Sequence, residues 1–244
     1  MHSWEVKAVL LLRVKAPFAA FRPLQAGTFR STTATITPTA AYGLLLNLAA
    51  IETRDWTKIA KPSTPMQSDL PRVELAIGRC NPLGSYERAT LFQQLHNVPV
   101  GKVPPENWER SKGTKPNIKP VRREILLNLD VVLAVRFDRD DPFNLQARIL
   151  AGLAGELNDQ RYGLPFVGDN NFLLDDITEL LQPEHVQWYD RVGENDDPRQ
   201  GTCRLTTWID RTNSSQTQTE VFAPIIKPLP EPPPDTAWVR LPKI

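Results

Sequence analysis

The chain has 244 residues, 41% of them hydrophobic, enough for one large domain or two small ones with a real core. Its net charge of +1 excludes selection of a polyanion by overall charge alone, and its two cysteines and three histidines, none at ligand spacing from another, exclude a disulfide framework and a recognisable metal motif. The longest apolar run, Gly43–Ile51, is far short of the about 20 residues that a membrane span needs.

Taken in chain order, WEVKAVLLLRVK alternates: Trp4, Val6, Ala8, Leu10, Leu12 and Val14 share one face, and Glu5, Lys7, Arg13 and Lys15 the other. This pattern predicts a half-exposed strand with a basic outer face. The apolar run within it is short and is broken by Arg13 and Lys15, so no secretory signal is legible and a cytoplasmic location is expected. Next comes a basic, hydroxyl-rich segment with six threonines between Thr28 and Thr39. Thr37-Pro38 then predicts a helix start, with Thr37 as N-cap and a buried helix running to about Ile51.

PRVELAIGR (71–79) predicts a second strand. A long excursion follows, from Cys80 to about Val121, with four prolines between Pro99 and Pro116 and little periodicity. EILLNLDVVLAVRF (124–137) predicts an extended β run. Asp141-Pro142 predicts a second helix, with Leu145, Ile149, Leu150, Leu153 and Leu157 at helical spacing. HVQWYDRV and CRLTTWID predict later strands, and KPLPEPPPD predicts polyproline II. The order is strand, helix, strand, insertion, strand, helix, strand. It predicts an α+β, ferredoxin-like or RRM-like βαββαβ palm with a long thumb insertion, about 80–124, between the second and third strands. Residues 1–221 are expected to form one domain and 222–244 a Pro-rich C-terminal arm.

Charge is unevenly spread. Residues 6–136 hold 19 Lys and Arg against 9 Asp and Glu, and residues 137–197 hold 4 against 14. A basic pole attracts polyanions, and an acidic pole repels them or docks basic partners. The insertion concentrates the positive charge: Lys102, Arg110, Lys112, Lys115, Lys119, Arg122 and Arg123 face only Glu106 and Glu109 between Lys102 and Arg123. Such a segment is either a solvated loop or a finger that contacts phosphates without reading sequence. The threonine segment has matching parts. Arg22 and Arg30 supply charge, Thr32, Thr33 and Thr35 supply hydroxyls, and the helix start after Thr37 presents unpaired N–H groups. No acidic residue occurs between Glu5 and Glu52. The expected RNA-contacting set is therefore Arg22, Arg30, Thr32, Thr33, Thr35, Thr37, Lys112, Lys115, Lys119, Arg122 and Arg123.

Other constellations read as structural. Gly152 and Gly155 form a GxxG with Leu, Ala and Glu around it inside an amphipathic helix, which favours close helix packing over a nucleic-acid clamp. Asp138-Arg139-Asp140-Asp141 favours a cap and turn over a divalent-ion site. No catalytic residue, metal or cofactor is assigned.

The segments TPTAAYGLLLNLAAI, the basic insertion before ILLNLDVVLAVRF, and RYGLPFVGDNNFLLDDI resemble the Cas-five (DevS-like) subunits of type I CRISPR Cascade complexes, members of the repeat-associated RNA-binding (RAMP) superfamily. The resemblance covers about residues 4–190. Its most specific parts are Thr37-Pro38-Thr39 with Gly43, Leu44 and Leu45, and Gly163, Phe166, Gly168, Asp169 and Asn171. It implies a subunit that caps the 5′ handle of the crRNA between palm and thumb. The thumb would meet the first backbone subunit and the large subunit would lie alongside. Target DNA near its flanking motif would be reached through the complex, in antiviral defence or in transposon-associated targeting. One branch of the family cuts precursor RNA with a tyrosine after the Gly-Leu-Leu segment and a Lys-His pair near the thumb. Here that segment reads Asn47-Leu48-Ala49-Ala50 and the basic thumb stretch has no histidine, so a non-catalytic subunit is expected. The alternatives are a metal-independent endoribonuclease, with Tyr42, His96 and the thumb lysines as its candidates, and an assembly protein that binds no RNA.

Overall fold

The structure, a computed structural model, describes residues 9–23, 29–57, 65–80, 86–96, 118–182, 185–197, 199–211, 213–225 and 232–243. Strand β1 (Val9–Ala19) buries Leu10, Leu12, Val14 and Ala16 on one face, as their alternation demands. Leu11 faces the other way and packs with Ala76, Val132, Ala134, Trp188 and Trp238 in a second, smaller core. Both faces of β1 are therefore covered. On the expected basic outer face Arg13 and Lys15 are half-exposed, Glu5 and Lys7 lie outside the described residues, and Arg13 donates two hydrogen bonds to the Asp130 carboxylate, at 2.8 and 2.7 Å.

The expected ferredoxin-like βαββαβ palm is corrected by the sheet itself. Among the described residues, one ten-stranded sheet carries two α-helices, so the chain is mostly β. Its order is β6 (Asp176–Leu180), β1, β5 (Ile118–Phe137), β3 (Val73–Arg79), β7 (Gln187–Arg191), β9 (Gln218–Pro224) and β8 (Cys203–Trp208). Strands β2 (Phe29–Arg30) and β4 (Arg88–His96) attach to β5, and β10 (Val239–Leu241) attaches to β3. All pairings are antiparallel except that of β2 with β5.

The extra strands have physical reasons. RATLFQQLH shows no alternation and gains its ladder from β5, which it pairs from Arg88 opposite Leu126 to His96 opposite Ile118. The insertion is thus rooted in a hairpin continuous with the central strand, since β5 runs for 20 residues. At the chain end, Val239 and Leu241 are buried and Arg240 is exposed, a period of two over too few residues to stand out. Trp238 packs beneath the Arg136 guanidinium, 3.8 Å from its ring centre, and Lys243 pairs with Glu220. The far end of the 222–244 segment therefore belongs to the sheet. Within the proline-rich stretch, residues 227–231 lie outside the described residues.

Helix α1 (Pro38–Leu48) starts where its sequence demands: the Thr37 hydroxyl accepts from the Ala40 N–H at 3.2 Å, and Pro38 occupies the first turn. It buries Ala41, Tyr42, Leu44, Leu45, Leu46 and Leu48 against the sheet and leaves Gly43 facing open space. Helix α2 (Leu145–Ala154) is started by Asp141, whose carboxylate accepts from the N–H groups of Phe143 at 3.0 Å and Leu145 at 2.6 Å. The acidic cluster 138–141 is thus a cap and turn. In the GxxG, Gly152 allows close packing, since a Cβ there would lie 2.1 Å from the Leu48 carbonyl oxygen of α1, and Gly155, at φ +74°, caps the end of α2. Among the described residues, no helix is long and apolar enough to cross a membrane.

Candidate nucleic-acid interface

Three separated stretches meet at the start of α1: the turn at Phe21, the threonine segment and the 166–172 loop. The Phe21 N–H donates to the Thr32 hydroxyl at 2.9 Å, and the Thr33 N–H donates to the Phe21 carbonyl at 2.9 Å. The Thr32 N–H donates to Glu124 at 3.0 Å, which ties the segment to the hairpin root. The Thr33 hydroxyl donates to the Thr35 carbonyl at 2.7 Å. Thr32, Thr33, Thr35 and Thr37 are all buried. Of the four, Thr32, Thr33 and Thr37 turn their hydroxyls to backbone groups of the fold and fasten the segment, whereas the buried Thr35 hydroxyl has no hydrogen-bond partner among the described residues. Threonine suits this because a short hydroxyl satisfies backbone groups that the nearby helix start leaves unpaired.

The 166–172 loop closes over the same place. Gly168 has φ +81°, and a Cβ there would lie 2.1 Å from the Ala20 carbonyl oxygen, so only glycine fits against the segment that follows β1. The Asp169 carboxylate accepts from the Asn171 backbone N–H at 3.0 Å and from its side-chain amide at 2.7 Å. Its other oxygen accepts from Arg123 at 2.6 Å. Burial works to raise the Asp169 carboxyl, but the Asn171 N–H and Arg123 outweigh it and hold the group below the ordinary carboxylate range.

Arginines gather around this loop. Arg123 is buried, paired with Asp169, and sits 5.4 Å from the centre of the Phe172 ring. The Arg30 guanidinium is pushed below the usual arginine value by burial first, then by Arg22 and Arg123, with Asp169 acting the other way. Its Nε is buried and has no hydrogen-bond partner among the described residues. Arg30 therefore feels two other guanidiniums and one carboxylate that is already paired with Arg123, and arginine stays cationic under that repulsion. A phosphate placed there would relieve the repulsion.

Next to this cluster, along the side of α1 that Gly43 leaves open, lies a cavity of about 300 Å³. Arg22, Thr37, Thr39, Arg54 and Arg211 line it, and Tyr162 and Phe166 contribute half-exposed rings. Arg54 lies 5.4 Å from the centre of the Trp56 ring and 5.9 Å from that of Tyr162. The Arg211 guanidinium is lowered by burial and then by Arg54, so these two cations are also neighbours. Arg54, Tyr162, Phe166 and Arg211 were not among the expected contacts. Tyr162 and Phe166 stand in RYGLPF, a stretch that matters to the resemblance. Arg54 and Arg211 sit in short polar connections that carry no local signal.

The remaining expected contacts fall elsewhere. Arg122 is exposed on the opposite face of β5 from Arg123. Lys112 and Lys115 lie outside the described residues, and Lys119 is described only by its backbone position on β5. Of the candidates for RNA cutting, Tyr42 is buried and donates to the Pro71 carbonyl at 2.7 Å, with burial raising its pKa well above the usual phenol value. The side chain of His96 lies outside the described residues.

No protein-family model matches the chain, and no curated protein matches it. Among solved structures, a chain of one titled "CRISPR RNA-guided surveillance complex" superposes with a TM-score of 0.54 at 12% identity, over 91% of this chain and 90% of that one. Another, titled "Crystal structure of Cas protein", has a TM-score of 0.42 at 14% identity, over 93% of this chain and 100% of that one. The first likeness establishes a shared fold over nearly the whole of both chains.

Proposed function

We propose that this chain is a non-cutting RNA-binding subunit of a CRISPR-type RNA-guided complex. It holds the sugar-phosphate backbone of a guide RNA's 5′ handle along the arc Arg30–Arg123–Arg22 and across the cavity to Arg54 and Arg211. The observation that carries this reading is the arc: three arginines, Arg22, Arg54 and Arg211, line one cavity, and beside it Arg30 is coupled to Arg22 and to Arg123, which is paired with Asp169. Convergent guanidiniums bind phosphates, and half-exposed rings beside them suit unpaired bases. The fold shared with a chain of a surveillance complex and the resemblance of its motifs support the same role. The acidic stretch 176–197 would face protein neighbours, the backbone and large subunits of such a complex. The burial of Tyr42 supports the absence of cutting, because a general base must reach the proton it removes.

The test is photo-crosslinking of a 5′-handle RNA to the purified protein. Crosslinks are expected on peptides carrying Arg22, Arg54, Tyr162 and Arg211, with the RNA left uncut. Crosslinks confined to 176–197, or cutting at a single site, would overturn the reading.

A further inference from the structure

We infer that the solvent face of the hairpin root is a base-stacking platform for unpaired nucleotides of single-stranded RNA. Pairing registers set the geometry: Arg122 of β5 lies opposite Phe29 of β2 on one side and Phe92 of β4 on the other. Directly paired residues project from the same face of a sheet. Phe29, Arg122 and Phe92 therefore form a ladder across three strands, with the rings about 10 Å apart at two strand spacings. All three are exposed, Phe92 at 68% and Phe29 at 49%. The neighbouring residues of the alternation, Val121, Arg123 and Ile125, are buried.

A single exposed phenylalanine is ordinary. Two that flank an exposed guanidinium, in register, at the root of the most basic segment of the chain, have a specific chemistry. The rings offer faces to bases, and the arginine can lie flat between or beneath them or take a phosphate. Arg88 on the same face is occupied by Glu124 at 3.2 Å, whereas Arg122 has no ion-pair partner among the described residues. The charge complements a nucleic acid, and the flatness suits stacking of bases of any identity. This platform is on the opposite face of β5 from Arg123, so it extends the arc instead of duplicating it. It rests on the reading above, that the chain binds RNA.

The experiment is fluorescence anisotropy of a labelled 12-nucleotide oligouridylate across a salt series, with wild type, Phe29→Ala, Phe92→Ala, Phe92→Tyr and Arg122→Gln. Each alanine variant is expected to weaken binding about five- to hundred-fold with an unchanged salt slope, because stacking releases no counterions. Phe92→Tyr should retain affinity, and Arg122→Gln should lower the slope by about 0.7. Circular dichroism and melting should be unchanged throughout, since these side chains are exposed. If wild type binds and the phenylalanine variants bind equally well, the platform is refuted while the arginine arc stands. If those variants lose self-association in sedimentation instead of RNA affinity, the ladder is a protein contact and the inference fails. If wild type does not bind, both readings fall.

Discussion

Asp169→Asn separates an anion-binding arc from a merely structural one. The substitution keeps the shape and the contacts with Asn171 but removes the charge that neutralises Arg123. That guanidinium is largely buried, with 10% of its side chain exposed against 21% for Asp169. Breaking a buried pair by removing one partner costs about 3–5 kcal/mol. Because one edge of Asp169 reaches solvent, we place the loss at or below the low end, about 2–3 kcal/mol. For a chain of this size that is a fall of roughly 4–12 °C in melting temperature. The deficit is electrostatic: Arg123 loses its paired carboxylate and Arg30 the one anion that offsets its cationic neighbours. A bound phosphate can take its place. Handle RNA should therefore raise the melting temperature of Asp169→Asn more than that of wild type, and should bind it more tightly at low salt. At a ligand concentration one hundred times the Kd, binding alone contributes about 2.7 kcal/mol, so the difference is readable by differential scanning fluorimetry. The reasoning is refuted if Asp169→Asn melts with wild type, or if RNA stabilises both proteins equally.

Other perturbations bear on the parts that position the site. Gly152→Ala gains about 1 kcal/mol of helix propensity but drives a methyl to 2.1 Å from the Leu48 carbonyl. With overpacking costing about 1–3 kcal/mol and sometimes more, chemical denaturation should show net destabilisation, and added stability would contradict the close α1–α2 contact. Acidification should act through Asp169, whose pKa is lowered on folding. Its contribution is present above the ordinary carboxylate value of about 3.9 and is lost as the pH falls through the lower folded value. A pH series from 6 to 2 should show this loss in wild type and a smaller one in Asp169→Asn. Burial raises the Cys80 and Cys203 thiols to about 11, so both should alkylate slowly at pH 8 in the native protein and rapidly in urea. Fast native alkylation would show them exposed.

Much of the framework was legible because local chemistry and tertiary context agree. Thr37-Pro38 specifies a helix start, and the structure uses it as one. Asp141 before a periodic apolar run specifies another. The tight loop Gly168–Asn171 stood out only by resemblance, since its spacing has no meaning until Ala20 is seen packed against Gly168. The threonines were ambiguous for a physical reason: a hydroxyl beside a helix start has the same sequence signature whether it caps backbone or meets a ligand. The mostly-β sheet was hidden because β4 and β10 draw their order from β5 and β3, and not from a period of their own. Arg54 and Arg211 are far apart in the sequence, and only the fold makes them neighbours.

The central claim is that the arginines around the α1 cavity neutralise RNA phosphates. Its most direct test is the salt dependence of handle-RNA affinity for wild type and for Arg22→Gln/Arg54→Gln/Arg211→Gln. At about 0.7 per phosphate contact for a single strand, the triple variant should lower the slope of log K against log salt by about 2, with circular dichroism unchanged. An unaltered slope and affinity in a folded triple variant would contradict the account.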